Sequence, residues 1–172
     1  RYHCWEGNLK WVSLMLWAGA DPYARGMSFC FEEHDPEAYS TALELAALRG
    51  HAEIFKLKGV CLDPDHPVAR ELIRNVCFDG KSDLLKILLE RGYNPNDREN
   101  GGSSYIQYLL SIVYRSYSST VSWKKRQKSF DSSESMEKMK MIHLLARYGG
   151  RWLPEDNWDI KEVRRSLLKM IP

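Results

Sequence analysis

A spacing of twelve residues recurs along this chain. Gly7 to Gly19, Gly80 to Gly92 and Glu137 to Gly149 each span it. The first interval holds Trp11, Val12, Leu14, Met15 and Leu16, and the second Leu84, Leu85, Ile87, Leu88 and Leu89. The third holds Met139, Met141, Ile142, Leu144 and Leu145. Each interval has the length of a helix of two to three turns, closed by a glycine suited to a left-handed backbone. A helix that short, apolar along one side, is not stable alone and must stack on a neighbour. Each copy follows another apolar, helix-compatible stretch, so the chain is expected to be all-α, a helical solenoid of stacked antiparallel helix pairs.

One unit is written most fully. From Thr41 to Leu57 the chain reads Thr-Ala-Leu-Glu-Leu-Ala-Ala-Leu-Arg-Gly-His-Ala-Glu-Ile-Phe-Lys-Leu, two apolar stripes broken at Gly50. This run resembles the ankyrin repeat: a threonine opening the inner helix, Leu-x-Leu-Ala-Ala along it, Gly-His-x-Glu at the turn, then an apolar outer helix. The stretch from Gly92 to Ser104 is similar to the family's β-hairpin finger, with Asn96 and Gly102 in register, and Glu71 to Ser104 spans 33 residues, the family's period. The resemblance covers about four units and implies a concave protein-binding surface, without a catalytic pocket. His51 then takes the family's role of hydrogen-bonding the turn backbone.

The departures from that period set the expected boundaries. Residues 1–22 form a partial first repeat and 23–39 an extended finger with ten extra residues. Residues 40–64 form the second repeat, whose outer helix is shortened by about one turn because Gly50 to Gly59 spans only 9. Residues 65–98 form the third repeat, with Glu71 in the threonine position, and 99–150 the fourth. There Glu137 takes the place of the turn glycine, and a basic, serine-rich insertion runs from about 114 to 136. Residues 151–172 form a capping helix, with the stripe Ile160, Val163, Leu167 and Ile171 behind an Asp159 to Glu162 capping box. Gly7 lies so near Arg1 that the first inner helix is only an end. A terminal half-repeat leaves an apolar face bare, so the chain is expected to be part of a longer protein.

Composition narrows the function classes. There are 25 Lys and Arg against 23 Asp and Glu, a net charge of +2 that favours no global nucleic-acid binding. No apolar run approaches the roughly 18 residues of a membrane span, and four irregularly spaced cysteines describe no disulfide framework. A cytoplasmic protein is expected, or a nuclear one in a eukaryotic host if Lys125-Arg126-Gln127-Lys128 serves as an import signal.

Candidate chemistry is sparse. Gly80-Lys81-Ser82 lacks the earlier glycine and the strand of a phosphate loop, and reads as a helix–helix turn with Ser82 as N-cap. Cys30 and His34 with Cys61 and His66 offer four zinc ligands at unusual spacing; core packing of both thiols is the preferred reading. Cys4 and Cys77 read as buried apolar thiols. No nucleophile elbow or paired-carboxylate motif occurs, so neither an enzyme nor a cofactor is expected.

The expected activity is binding of a partner protein through finger tips and the inner-helix face, by a monomer or part of a larger chain. Tyr23, Arg25, Asp97, Arg98 and Glu99 are the candidate tips. Phe29 and Phe31 either anchor a partner or fold back beneath their acidic loop. The second candidate surface is the insertion, where Arg115, Lys124, Lys125, Arg126 and Lys128 stand beside Trp123. It could contact nucleic acid or an acidic protein, or be a solvated loop. A regulatory array packed on a further N-terminal domain is the remaining alternative.

Overall fold

The computed structural model describes residues 1–26, 40–60, 62–98, 103–118 and 133–151. These residues are helical, with no strand among them. Seven α-helices and one 3-10 helix are described: α1 (Tyr2–Trp5), α2 (Leu9–Trp17), α3 (Ala42–Arg49), the 3-10 helix (Ala52–Lys56), α4 (Pro67–Asp79), α5 (Ser82–Glu90), α6 (Tyr105–Ser118) and α7 (Ser133–Arg147). The chain divides into two compact units, Arg1–Tyr93 and Asn94–Pro172.

In the first unit the helices pack in two series. Helices α1, α3 and α4 lie against one another in that order, and α2, the 3-10 helix and α5 do the same. Each member of one series also contacts its chain neighbour in the other. The core runs between the series and is built from Leu43, Leu45, Ile54, Phe55, Leu72, Ile73, Leu84, Leu85 and Leu88. Cys4 and Cys77 are buried in it as free thiols.

Local sequence accounts for the ends of these helices. Thr41 caps α3: its Oγ1 accepts the Glu44 N–H at 3.1 Å, and its own N–H donates to the Glu44 carboxylate at 2.7 Å. That reciprocal pair satisfies two donors the helix cannot use itself. Gly7, Gly19, Gly50, Gly80, Gly92 and Gly149 all adopt positive φ. At Gly7 the requirement is double, because a Cβ there would also sit 2.6 Å from the His51 ring. His51 needs that space to place Nε2 2.9 Å from the Trp5 carbonyl oxygen, bonding the backbone beside the neighbouring pair's turn. The Arg49 guanidinium lies 4.6 Å over the Trp5 ring at the same junction.

Several boundaries differ from expectation. Helix α4 starts at Pro67, with His66 Nδ1 accepting the Val68 N–H at 3.2 Å, so Glu71 lies within the helix and does not open it. Proline at the first helical position supplies the right φ at no cost in hydrogen bonds. Lys81, not Ser82, occupies the N-cap of α5, and no side chain caps that helix. Glu137 lies inside α7 rather than at a turn, since nothing at that position needs a left-handed backbone. The proposed insertion narrows at both ends, because α6 continues to Ser118 and α7 begins at Ser133. Between Gly50 and Gly59 a five-residue 3-10 helix stands where a full outer helix would be.

In the second unit α6 packs on α7, burying Tyr105, Ile106, Leu109 and Val113 with Met141 and Leu145. Ser104 Oγ accepts the Gln107 N–H at 3.3 Å, repeating half of the Thr41 arrangement. The Oε1 of Gln107 is buried with no hydrogen-bond partner among the described residues, so the reciprocal bond is not made.

Candidate functional site

The segment after α2 was expected to project its tip residues outward; the structure holds two of them against the next helices. Asp21 Oδ1 accepts the Tyr23 N–H at 2.8 Å, forming a tight turn that sends the chain back toward α4. The Tyr23 ring stacks on His66 with centroids 4.1 Å apart, and its hydroxyl accepts the Asp63 N–H at 3.4 Å. Two residues on, Arg25 Nη2 hydrogen-bonds the Glu71 carboxylate and lies 3.5 Å from Glu44 Oε1.

Glu44 therefore serves two purposes. One oxygen closes the capping box of α3 and the other faces Arg25, while the side chain stays buried. Burial pushes the Glu71 carboxyl up. Hydrogen bonding with Glu44 and Arg25, and the positive charges of Arg25 and Arg74, outweigh that, so it titrates below the usual glutamate range. The hydrogen bond that Arg25 donates to Glu71 and the charge of Glu44 hold the Arg25 guanidinium above its ordinary value. The result is an ordered edge on the first unit, where a half-exposed arginine and an aromatic stack bridge α3, α4 and the turn after α2.

A cavity of about 190 Å³ lies beside this edge, lined by Cys4, Val12, Leu16, Leu43, Ile54 and Val60, with Arg1 and Asp21 also on its wall. Burial pushes the Cys4 thiol up, which keeps it neutral and apolar in character. The cavity offers shape and apolar surface rather than reactive groups. No cluster of metal-ligating side chains occurs among the described residues. Of the four proposed zinc ligands only His66 is described, as cap and stacking partner; Cys30, His34 and Cys61 lie outside those residues.

The other candidates are spread apart. Asp97 and Arg98 sit in the turn that opens the second unit, where Asp97 Oδ1 accepts the Arg98 N–H at 2.9 Å. That turn is organised by Asn96, whose part in the structure the sequence did not reveal. Its Nδ2 donates to the Gly149 carbonyl at 2.9 Å, and its Oδ1 accepts the Arg151 N–H at 2.7 Å. A partner more than fifty residues away leaves no local signal; only register with the finger pattern singled Asn96 out. Arg115 belongs to α6. Phe29, Phe31, Glu99, Trp123, Lys124, Lys125, Arg126 and Lys128 lie outside the described residues, as does the proposed capping helix beyond Arg151.

No family model, curated protein or solved structure matches this chain. Among the described residues no helix is long and apolar enough to cross a membrane.

Proposed function

We propose that this chain is a non-catalytic protein-interaction module of the ankyrin-repeat type, binding a partner protein along the edge that carries Tyr23, Arg25 and the exposed Arg74 of α4. The single observation that carries this reading is the serial packing of α1, α3 and α4 beside α2, the 3-10 helix and α5. A series of helix pairs presents side chains at fixed intervals on an extended surface, which is the physical basis of recognition by repeat arrays. The Tyr23–His66 stack and the Arg25–Glu71 pair support it further. Residues already ordered in the unbound protein lose little entropy on association.

A photo-reactive amino acid at Arg74, exposed on α4, tests the reading against one at Lys86, exposed on α5 in the other series. The expected result is a discrete protein cross-link at Arg74 that is absent at Lys86. Protein capture at Lys86 alone would contradict the assignment. So would a salt-sensitive RNA or DNA complex lost when Lys124, Lys125, Arg126 and Lys128 are neutralised, since the insertion would then be the working surface.

A further inference from the structure

The cavity beside α2 follows from the shortened outer helix of the second pair. A 3-10 helix of five residues rises about 10 Å, whereas α2 and α5, of nine residues each, rise about 13 Å. The 3-10 coil is also the tighter one, so Ala52–Lys56 fills less of its layer than an α-helix would. The chain that follows passes close against the end of α2, where a Cβ on Gly59 would stand 3.0 Å from the Leu16 Cβ. What remains is a space of about 190 Å³, lined from α1, α2, α3, the 3-10 helix and the turn after α2.

Its inner and outer walls differ in chemistry. Ile54, Leu43, Val60 and Val12 are 0%, 1%, 2% and 5% exposed and form the inner wall. Cys4 adds a thiol that burial keeps neutral. A trapped water needs two to four polar partners, and these side chains do not supply them, so the inner space is suited to staying dry. An ion entering it would lose its hydration without a counter-charge. Charged groups line only the outer wall, where Arg1 and Asp21 are exposed and of opposite sign, favouring neither an anion nor a cation. His3 is also on the wall, but its ring stacks on Trp11 with centroids 5.4 Å apart.

Volume sets the size of an occupant. A dry cavity of about 150 Å³ lined by Leu, Ile and Phe accepts benzene, and pockets for drug-sized ligands begin near roughly 300 Å³. The space here falls between the two, with room for one ring carrying one or two further carbons. A void also forfeits dispersion contacts along its whole lining, and a ligand of matching shape restores them.

We infer that this cavity is a binding site for a small uncharged apolar molecule, a single ring or branched hydrocarbon of about six to eight carbon atoms. It is a different site from the edge proposed to bind a partner protein and does not rest on that reading.

The test titrates toluene into the 172-residue protein while NMR follows the methyl groups of Val12, Leu16, Ile54 and Val60. Saturable shifts are expected at these methyls and not at Leu89 of α5, with the thermal midpoint raised by about 2 °C or more near saturation. Benzoate and benzylamine carry the same ring with a negative or a positive charge and should produce neither effect. Ala42→Leu, which adds three carbons at the cavity wall, should abolish the toluene shifts without lowering the midpoint. The charged analogues need no substitution, so they decide the matter even where Ala42→Leu does not fold.

Shifts that fail to saturate up to the solubility limit of toluene would overturn the inference. Tighter binding of either charged analogue would do the same, as would toluene shifts that persist unchanged in a folded Ala42→Leu protein.

Discussion

Helices α2 and α5 are both nine residues long, start from similar backbone angles at Asn8 (φ −80°, ψ 86°) and Lys81 (φ −95°, ψ 78°), and are followed by a left-handed glycine. Yet six residues of α5 are buried and only Val12 of α2 is. Local sequence makes the helix in each case, whereas burial comes from what stands on either side of it. In a stacked array, stability is a sum over neighbouring layers, so the same local pattern can be worth several kcal/mol in one layer and little in another.

The widest gap should appear at the register pair Leu88 and Met15. Leu88→Ala is expected to cost about 3 kcal/mol in urea unfolding, while Met15→Ala costs less than about 1 kcal/mol. Comparable losses would mean that the two helices share one core. The turns sharpen the contrast. Gly7→Ala combines a left-handed backbone with a clash against His51, whereas Gly19 has nothing within 4 Å of the added carbon. A cost of about 1–2 kcal/mol is expected at Gly19, and roughly 1 kcal/mol more at Gly7, where the ring must move. Equal costs would show that His51 yields without penalty.

Caps reverse the sign. Asn8 accepts the Trp11 N–H at 3.3 Å, but α5 has no side-chain cap. Asn8→Ala should destabilise by about 1 kcal/mol and Lys81→Asn should stabilise by up to about 1 kcal/mol, both read as shifts in denaturation midpoint. The smallest effect lies at the Arg25–Glu71 pair, which is half-exposed and contributes at most about 1 kcal/mol. The Glu71 carboxyl titrates below its unfolded value, so its contribution is present above the ordinary glutamate pKa and is lost as pH falls through the folded one. Glu71→Gln should flatten the acid limb of the stability–pH curve below about pH 4, with little change at pH 7.

The parts of this fold that could be read in advance are those set by one residue and its near neighbours. The five turn glycines and Gly149 announce left-handed backbone, and Thr41 with Glu44 announces a helix start, because each motif is complete within a few positions. Glu137 is the converse case: twelve residues before Gly149, it has no conformational demand of its own, and α7 runs through it. Helix α4 starts at the His66 cap and Pro67, not at Glu71, because a cap and a proline at the first helical position are local demands that a repeat period does not carry. At the candidate site the sequence named Tyr23 and Arg25 but pictured them projecting. Their partners His66 and Glu71 lie more than forty residues on, and only stacking brings them together.

Native-state hydrogen exchange tests most directly whether protection in the first unit is set by neighbouring layers. The prediction is a gradient: amides of α5 and the second half of α4 open only with large free energies, while those of α2 exchange through a local opening several-fold to many-fold easier. Matching protection in α2 and α5, lost together at one denaturant concentration, would contradict it and mark the first unit as a single indivisible core.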